Sequence, residues 1–105
     1  MTEIRFFGSD GCITGYEISG HSTSSAKDID GKIVCSAVSS AAYMAANTIS
    51  EIVGAELDAK VSDGYMRIKL KSMISESQIT LKGFLLHARE LATDYRNYVK
   101  VYSEV

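Results

Sequence analysis

One tripeptide, Ser-Asp-Gly, occurs twice in this 105-residue chain, at 9–11 and at 62–64, each time between two strand-like segments. Asp-Gly accommodates the positive backbone angles of tight hairpin turns, so each copy predicts a β-hairpin. The first pairs residues 3–7 with 12–19. Ile4 and Phe6 flank Arg5 on the outgoing strand, and Tyr16 and Ile18 flank Glu17 on the return. The second pairs 55–61 with 65–71, where Met66, Ile68 and Leu70 alternate with Arg67, Lys69 and Lys71. Alternation of this kind gives a sheet one apolar face that something else must cover.

Two helices are available to cover it. Val34, Val38, Ala41, Ala45, Ile49 and Ile52 recur at helical spacing, predicting a helix over about 32–53 that Gly54 closes. A second is predicted over about 75–98. Ser75 and Gln78 have the spacing of a capping box, and Phe84, Ala88, Leu91, Ala92 and Tyr95 form its apolar stripe. Val99, Val101, Tyr102 and Val105 suit a final edge strand. The expected order is ββαββαβ, an α+β fold of an antiparallel sheet with two long helices on one side. No linker or low-complexity tract interrupts residues 1–105, which read as a single domain. The chain has no proline, so glycines do the punctuation.

The charge balance, Lys+Arg 11 against Asp+Glu 13, argues against a dedicated nucleic-acid binder. No run approaches the ~18 consecutive apolar residues of a membrane span, and no signal-peptide pattern opens the sequence. A cytoplasmic chain is expected, and its two cysteines then read as thiols rather than a disulfide. Cys12, beside the first turn, reads as a half-buried strand residue, and His87 as a helix-face histidine. Cys12, His21, Cys35 and His87 lack the close pairs of a zinc site, so neither metal nor other cofactor is assigned.

The segment 20–31 is polar, without pattern and bounded by glycines, and loops of that length in small domains usually serve a function. His21 stands at its start. Cys35 stands just past its end, placed by the predicted helix in the first turn, where unpaired N–H groups favour a thiolate. Asp28 or Asp30 is positioned to cap that helix. A thiolate with an imidazole beside it makes a nucleophile and a proton carrier. On spacing alone, a small buried cysteine and a surface histidine are the commoner reading.

The surrounding residues say more. Gly20-His21, followed by Gly31-Lys32-Ile33-Val34-Cys35-Ser36-Ala37-Val38-Ser39, resembles the signature of the ribosomal-processing cysteine proteases, the Prp family. That pattern is Gly-His, a glycine-containing loop, then Gly-x-Asp-Ile-Val-Cys-Ala-Ala-Val-Ser. Ile33, Val34, Cys35, Ala37, Val38 and Ser39 match in register. Gly31 falls one place late, and Lys32 stands where the family has aspartate.

The resemblance implies a homodimeric cytoplasmic cysteine endopeptidase. Such an enzyme removes an N-terminal extension from a bacterial large-subunit ribosomal protein, the twenty-seventh, cutting after a Phe-Phe-like pair and before a small residue. Cys35 is then the nucleophile and His21 the general base. Ser39 supports the site from one turn along, while Gly20 and Gly31 bound a loop that orders over substrate. Helix one's small side chains and Tyr95, Tyr98 and Tyr102 are where a dimer interface is expected. With Lys32 replacing the acidic residue, two other classes remain open: a non-catalytic, dimeric ribosome-associated module of the same fold, and a thiol redox sensor.

Overall fold

A computed structural model describes residues 1–21 and 28–105. Strands β1 (Thr2–Ser9) and β2 (Cys12–Ser19) form the first hairpin, and β3 (Leu57–Ser62) and β4 (Tyr65–Leu70) the second. Helix α1 (Ile29–Asn47) continues through a wider π-type turn at Thr48–Val53. A short 3-10 turn at Ser75–Ser77 leads into α2 (Gln78–Asp94), and β5 (Val99–Ser103) ends the order ββαββαβ.

The strands lie side by side as β3-β4-β2-β1-β5. Four are antiparallel to their neighbours, as the alternation predicts, but β5 runs parallel to β1, so the sheet is mixed. The helices cause this. Each carries the chain back across the sheet, so the strand after it runs the same way as the strand before it. β3 therefore follows the direction of β2, and β5 that of β4 and β1.

Among the described residues, the helices cover one face of the sheet. Ile4, Phe6, Ile13, Tyr16, Met66, Ile68 and Val99 point into a core closed by Val34, Val38, Ala42, Ala45 and Ile49 of the first helical segment and Leu81, Phe84, Leu85 and Ala88 of α2. On the open face, Arg5 lies 4.3 Å over the ring of Tyr102 and 3.6 Å from Glu3, so this tyrosine packs outside the core. Tyr95 and Tyr98 pack against the core, with rings 6.5 Å apart.

Several local expectations change. Helix α1 starts a turn earlier than its apolar stripe, because Asp28 caps it by accepting from the Gly31 amide at 3.0 Å. Gly31 is thus a buried residue of the first helical turn and does not bound a loop. Cys35 consequently lies beyond the first turn, where the amides are already used within the helix. Ile52 is 81% exposed, because the π-type turn breaks the helical repeat that brought Ile49 inward. Taken alone, residues 29–53 are long and apolar enough to cross a membrane, yet here they lay one side on the sheet.

Cys12 is exposed, since strand alternation turns it to the face opposite the buried Ile13. The capping box at Ser75 does not form. Gln78 instead accepts from the Ile13 amide at 2.7 Å and donates to the Ile13 carbonyl at 2.8 Å. Ile13 sits where the β1–β2 register shifts, so the ladder leaves its backbone for a side chain to pair.

Tyr16 gives the fold a pH dependence. Its ring is fully buried and its hydroxyl donates to the Ala42 carbonyl at 2.7 Å. Burial pushes the phenol well above its ordinary range. The folded chain therefore keeps a proton that the unfolded chain loses near pH ~10, so this stability is full below that pH and declines above it. Thermal melts between about pH 9 and 11 should show a steep loss of Tm that Tyr16→Phe reduces. Tyr65 and Tyr98, also raised, keep part of the slope. An unchanged slope in the variant would mean that Tyr16 is not responsible.

Candidate active site

Cys35 and Ser39 are four residues apart on α1 and so share one helix face with Val38 and Ala42. His21 enters from the sheet, immediately after β2. Gly20 turns the chain there with φ 89°, and its amide donates to the Gly64 carbonyl at 3.0 Å. A side chain at Gly20 would collide with the Met1 carbonyl, so the motif's glycine is required by backbone approach as well as by its angle. The His21 carbonyl accepts from the Met1 amine at 2.7 Å.

These elements enclose a cavity of about 220 Å³ that Gly20, His21, Cys35 and Ser39 all line. Four of the five residues singled out in the sequence therefore meet, and Gly31 is the exception. Residues 22–27, the middle of the expected substrate loop, lie outside the described residues. Lys32 does not line the cavity, so the cation in place of the family's aspartate stands off its wall. Cys35 is part-exposed, Ser39 and His21 exposed.

The far wall was not legible in the sequence. It is the second Ser-Asp-Gly turn, Ser62 to Gly64, together with Val61 and Tyr65. Ser19 of β2 pairs with Tyr65 of β4, which brings the β3–β4 turn beside the residue that follows β2. Asp63 is thus part of the wall. Tyr65 donates to Glu17 at 2.7 Å, and that hydrogen bond holds its phenol above the usual range. The repeated tripeptide was visible, but which copy faces His21 depends on strand order.

A second cavity of about 340 Å³ adjoins the first and shares Tyr43, Val61 and Met66 with it. Leu57, Ala59 and Ile68 make its floor largely apolar. Together the two form a trough between α1 and the β3 edge of the sheet, with the thiol and imidazole at one end. Among the described residues, no group of three His, Cys, Asp or Glu side chains is placed to hold a metal ion. The arrangement suits a thiol nucleophile acting on an extended chain laid along the trough.

Comparison with known proteins agrees. The family model described as cysteine protease Prp matches residues 1–100. No curated protein matches the chain. Among solved structures, the essential ribosomal processing protease Prp from S. aureus, in complex with a covalently linked product peptide, superposes with a TM-score of 0.86 at 20% identity, covering 99% of this chain and 100% of that one. The same protease in complex with a substrate peptide gives 0.85 at 18% identity, with 99% and 100% covered. SMU.848 from Streptococcus mutans gives 0.82 at 25% identity, with 98% and 93% covered. The α+β order expected from the hairpins is the order these structures share, and the signature around Cys35 lies within a match that runs from the first residue to the start of β5. The chain belongs to the cysteine protease Prp family, and is a cysteine peptidase.

Proposed function

We propose that this peptidase removes the N-terminal extension of a bacterial large-subunit ribosomal protein, the twenty-seventh, with Cys35 as nucleophile and His21 as general base. The observation that carries this reading is the shared cavity: the two side chains line one wall-to-wall space at the end of a trough large enough for a peptide.

His21 takes the Cys35 thiol proton as sulfur attacks the scissile carbonyl carbon. The C–N bond then breaks, and the imidazolium gives the proton to the departing amine. The acyl group remains on sulfur as a thioester. His21 next takes a proton from water, which attacks the thioester carbonyl, and the C–S bond breaks to restore the thiol. Ser39 braces the site from the next turn of α1.

The neighbouring apolar cavity accounts for an aromatic preference before the cut, because Val61, Ala59 and Leu57 line its β3 side. β3 is the edge strand on the trough's side of the sheet, so its outward backbone suits pairing with an extended peptide. The same reading places the enzyme in the cytoplasm as a homodimer. The exposed apolar side chains Met44 and Ile52 on the first helical segment are the surface that supports such pairing.

Mass spectrometry of a synthetic extension peptide after incubation with the protein tests the proposal. Two products are expected, cut between the Phe-Phe pair and the small residue after it. A peptide that binds yet stays intact would make the chain a non-catalytic module. Peroxide oxidation of Cys35 with no peptide processing would make it a thiol sensor. Either result overturns the proposal.

A further inference from the structure

The two Ser-Asp-Gly turns are identical in sequence but not in conformation. In the first, Asp10 (φ 54°) and Gly11 (φ 80°) are both left-handed, the pattern Asp-Gly ordinarily takes in a two-residue hairpin. In the second, only Gly64 (φ 69°) is left-handed, which is the sign pattern of a type II turn, uncommon between hairpin strands. Their surroundings differ too. A Cβ on Gly11 would meet nothing within 4 Å. A Cβ on Gly64 would lie 2.6 Å from Nε2 of His21 and 3.2 Å from both Cδ2 and Cε1. The imidazole thus rests with its Nε2 edge against the bare backbone of the second turn. The Gly20 amide bonded to the Gly64 carbonyl ties the residue before His21 to the same glycine.

We propose that Gly64 is a positioning residue of the active site: the Ser62–Gly64 turn is the seat of the His21 imidazole, and its lack of a side chain sets how far the ring stands from the β4 end of the cavity. This rests on the reading of His21 as the general base. A methyl group at 64 would leave Nε2 roughly an ångström short of ordinary contact distance. The ring, an exposed side chain, is the part that gives way. It moves away from the turn, which changes the separation from Cys35 that the turn sets. Displacements of about 1 Å at a reacting group cost on the order of 10²-fold in rate.

The first turn provides an internal control, since Gly11→Ala places alanine at a similarly left-handed position with no neighbour to strike. Gly11→Ala is expected to lose Tm comparably to Gly64→Ala while keeping kcat within about twofold of the native value on a Phe-Phe peptide. Gly64→Ala is expected to lose kcat by about 10²-fold. Its His21 ring signal, distinguished from that of His87 with a His87→Gln variant, should move in ¹H–¹³C spectra. If alanine at 64 prevents folding, the Gly64→Asn and Gly11→Asn pair decides the same question, because asparagine tolerates left-handed backbone. Equal kcat in the two members of a folded pair would overturn the proposal, as would an unmoved His21 signal. A direct test needs no activity: in the native protein the His21 ring protons should show nuclear Overhauser contacts to the Gly64 Hα protons. Their absence would overturn the positioning role even if the peptide is cut. Their presence without any peptide cleavage would retain the seat and overturn only its link to catalysis, and with it the reading of His21.

Discussion

Cys35→Ala is expected to lower peptide hydrolysis by about three orders of magnitude or more, because removing the nucleophile of a covalent mechanism leaves only what binding and orientation contribute. Without sulfur no thioester forms, and the remaining path is direct attack by water. Intact-mass measurement sharpens the test: native protein mixed with peptide should show a transient acyl adduct that the variant lacks. Cys35 is part-exposed and sits on the second turn of α1, so the truncation should change stability by about 1 kcal/mol or less. A collapsed fold is therefore not the expected cause of lost activity. Cys12→Ala is the matched control, since that thiol is exposed beside the first hairpin turn and lines neither cavity. Cleavage by Cys35→Ala at the native rate would remove the proposed mechanism.

Phe84→Ala should have the largest effect on stability. Phe84 is 3% exposed and meets two rings edge-on, Phe6 at 5.3 Å and 66° and Tyr16 at 4.9 Å and 79°. Phe6 and Tyr16 are themselves 6.1 Å apart, so the three rings join α2 to β1 and β2 in one cluster. Truncating such a residue loses its transfer free energy and opens a cavity, together about 3–5 kcal/mol. On a total of about 5–15 kcal/mol that is a large share. At about 4–8 °C per kcal/mol the Tm should fall by roughly 15–30 °C. The urea midpoint should drop with its slope unchanged. Leu86→Ala, two residues on and 62% exposed, should stay within about 0.5 kcal/mol of the native protein. A Tm loss below about 5 °C for Phe84→Ala would show that the ring cluster does not anchor α2.

Much of the fold was legible because it is written locally. Alternation at Met66, Ile68 and Leu70 gave β4 and its buried face, and each Asp-Gly gave a hairpin. Helical spacing from Val34 to Ile49 gave α1, whereas Ile52 misled because periodicity cannot register a change of helical pitch. The capping-box spacing at Ser75 misled for a related reason. Gln78 had a competing partner 65 residues away, the backbone of Ile13, that no local pattern reports. The apolar stripe sets the helix start one turn late, because a stripe marks where a helix is buried, whereas Asp28, one of the two caps the sequence offers, is the one that forms.

The candidate site divides the same way. Sequence alone determined the chemistry on offer, a thiol and an imidazole within a family signature, and Ser39 on the helix face of Cys35. It also determined the α+β order, since periodicity and turn residues act over a few positions. Tertiary structure alone decided that β5 joins β1 in parallel. It also decided which of two identical tripeptides meets His21. Those outcomes follow from which strand lies beside which, and that is set by burying one sheet face beneath two helices. Only the copy of Ser-Asp-Gly next to the end of β2 could come to rest under the histidine.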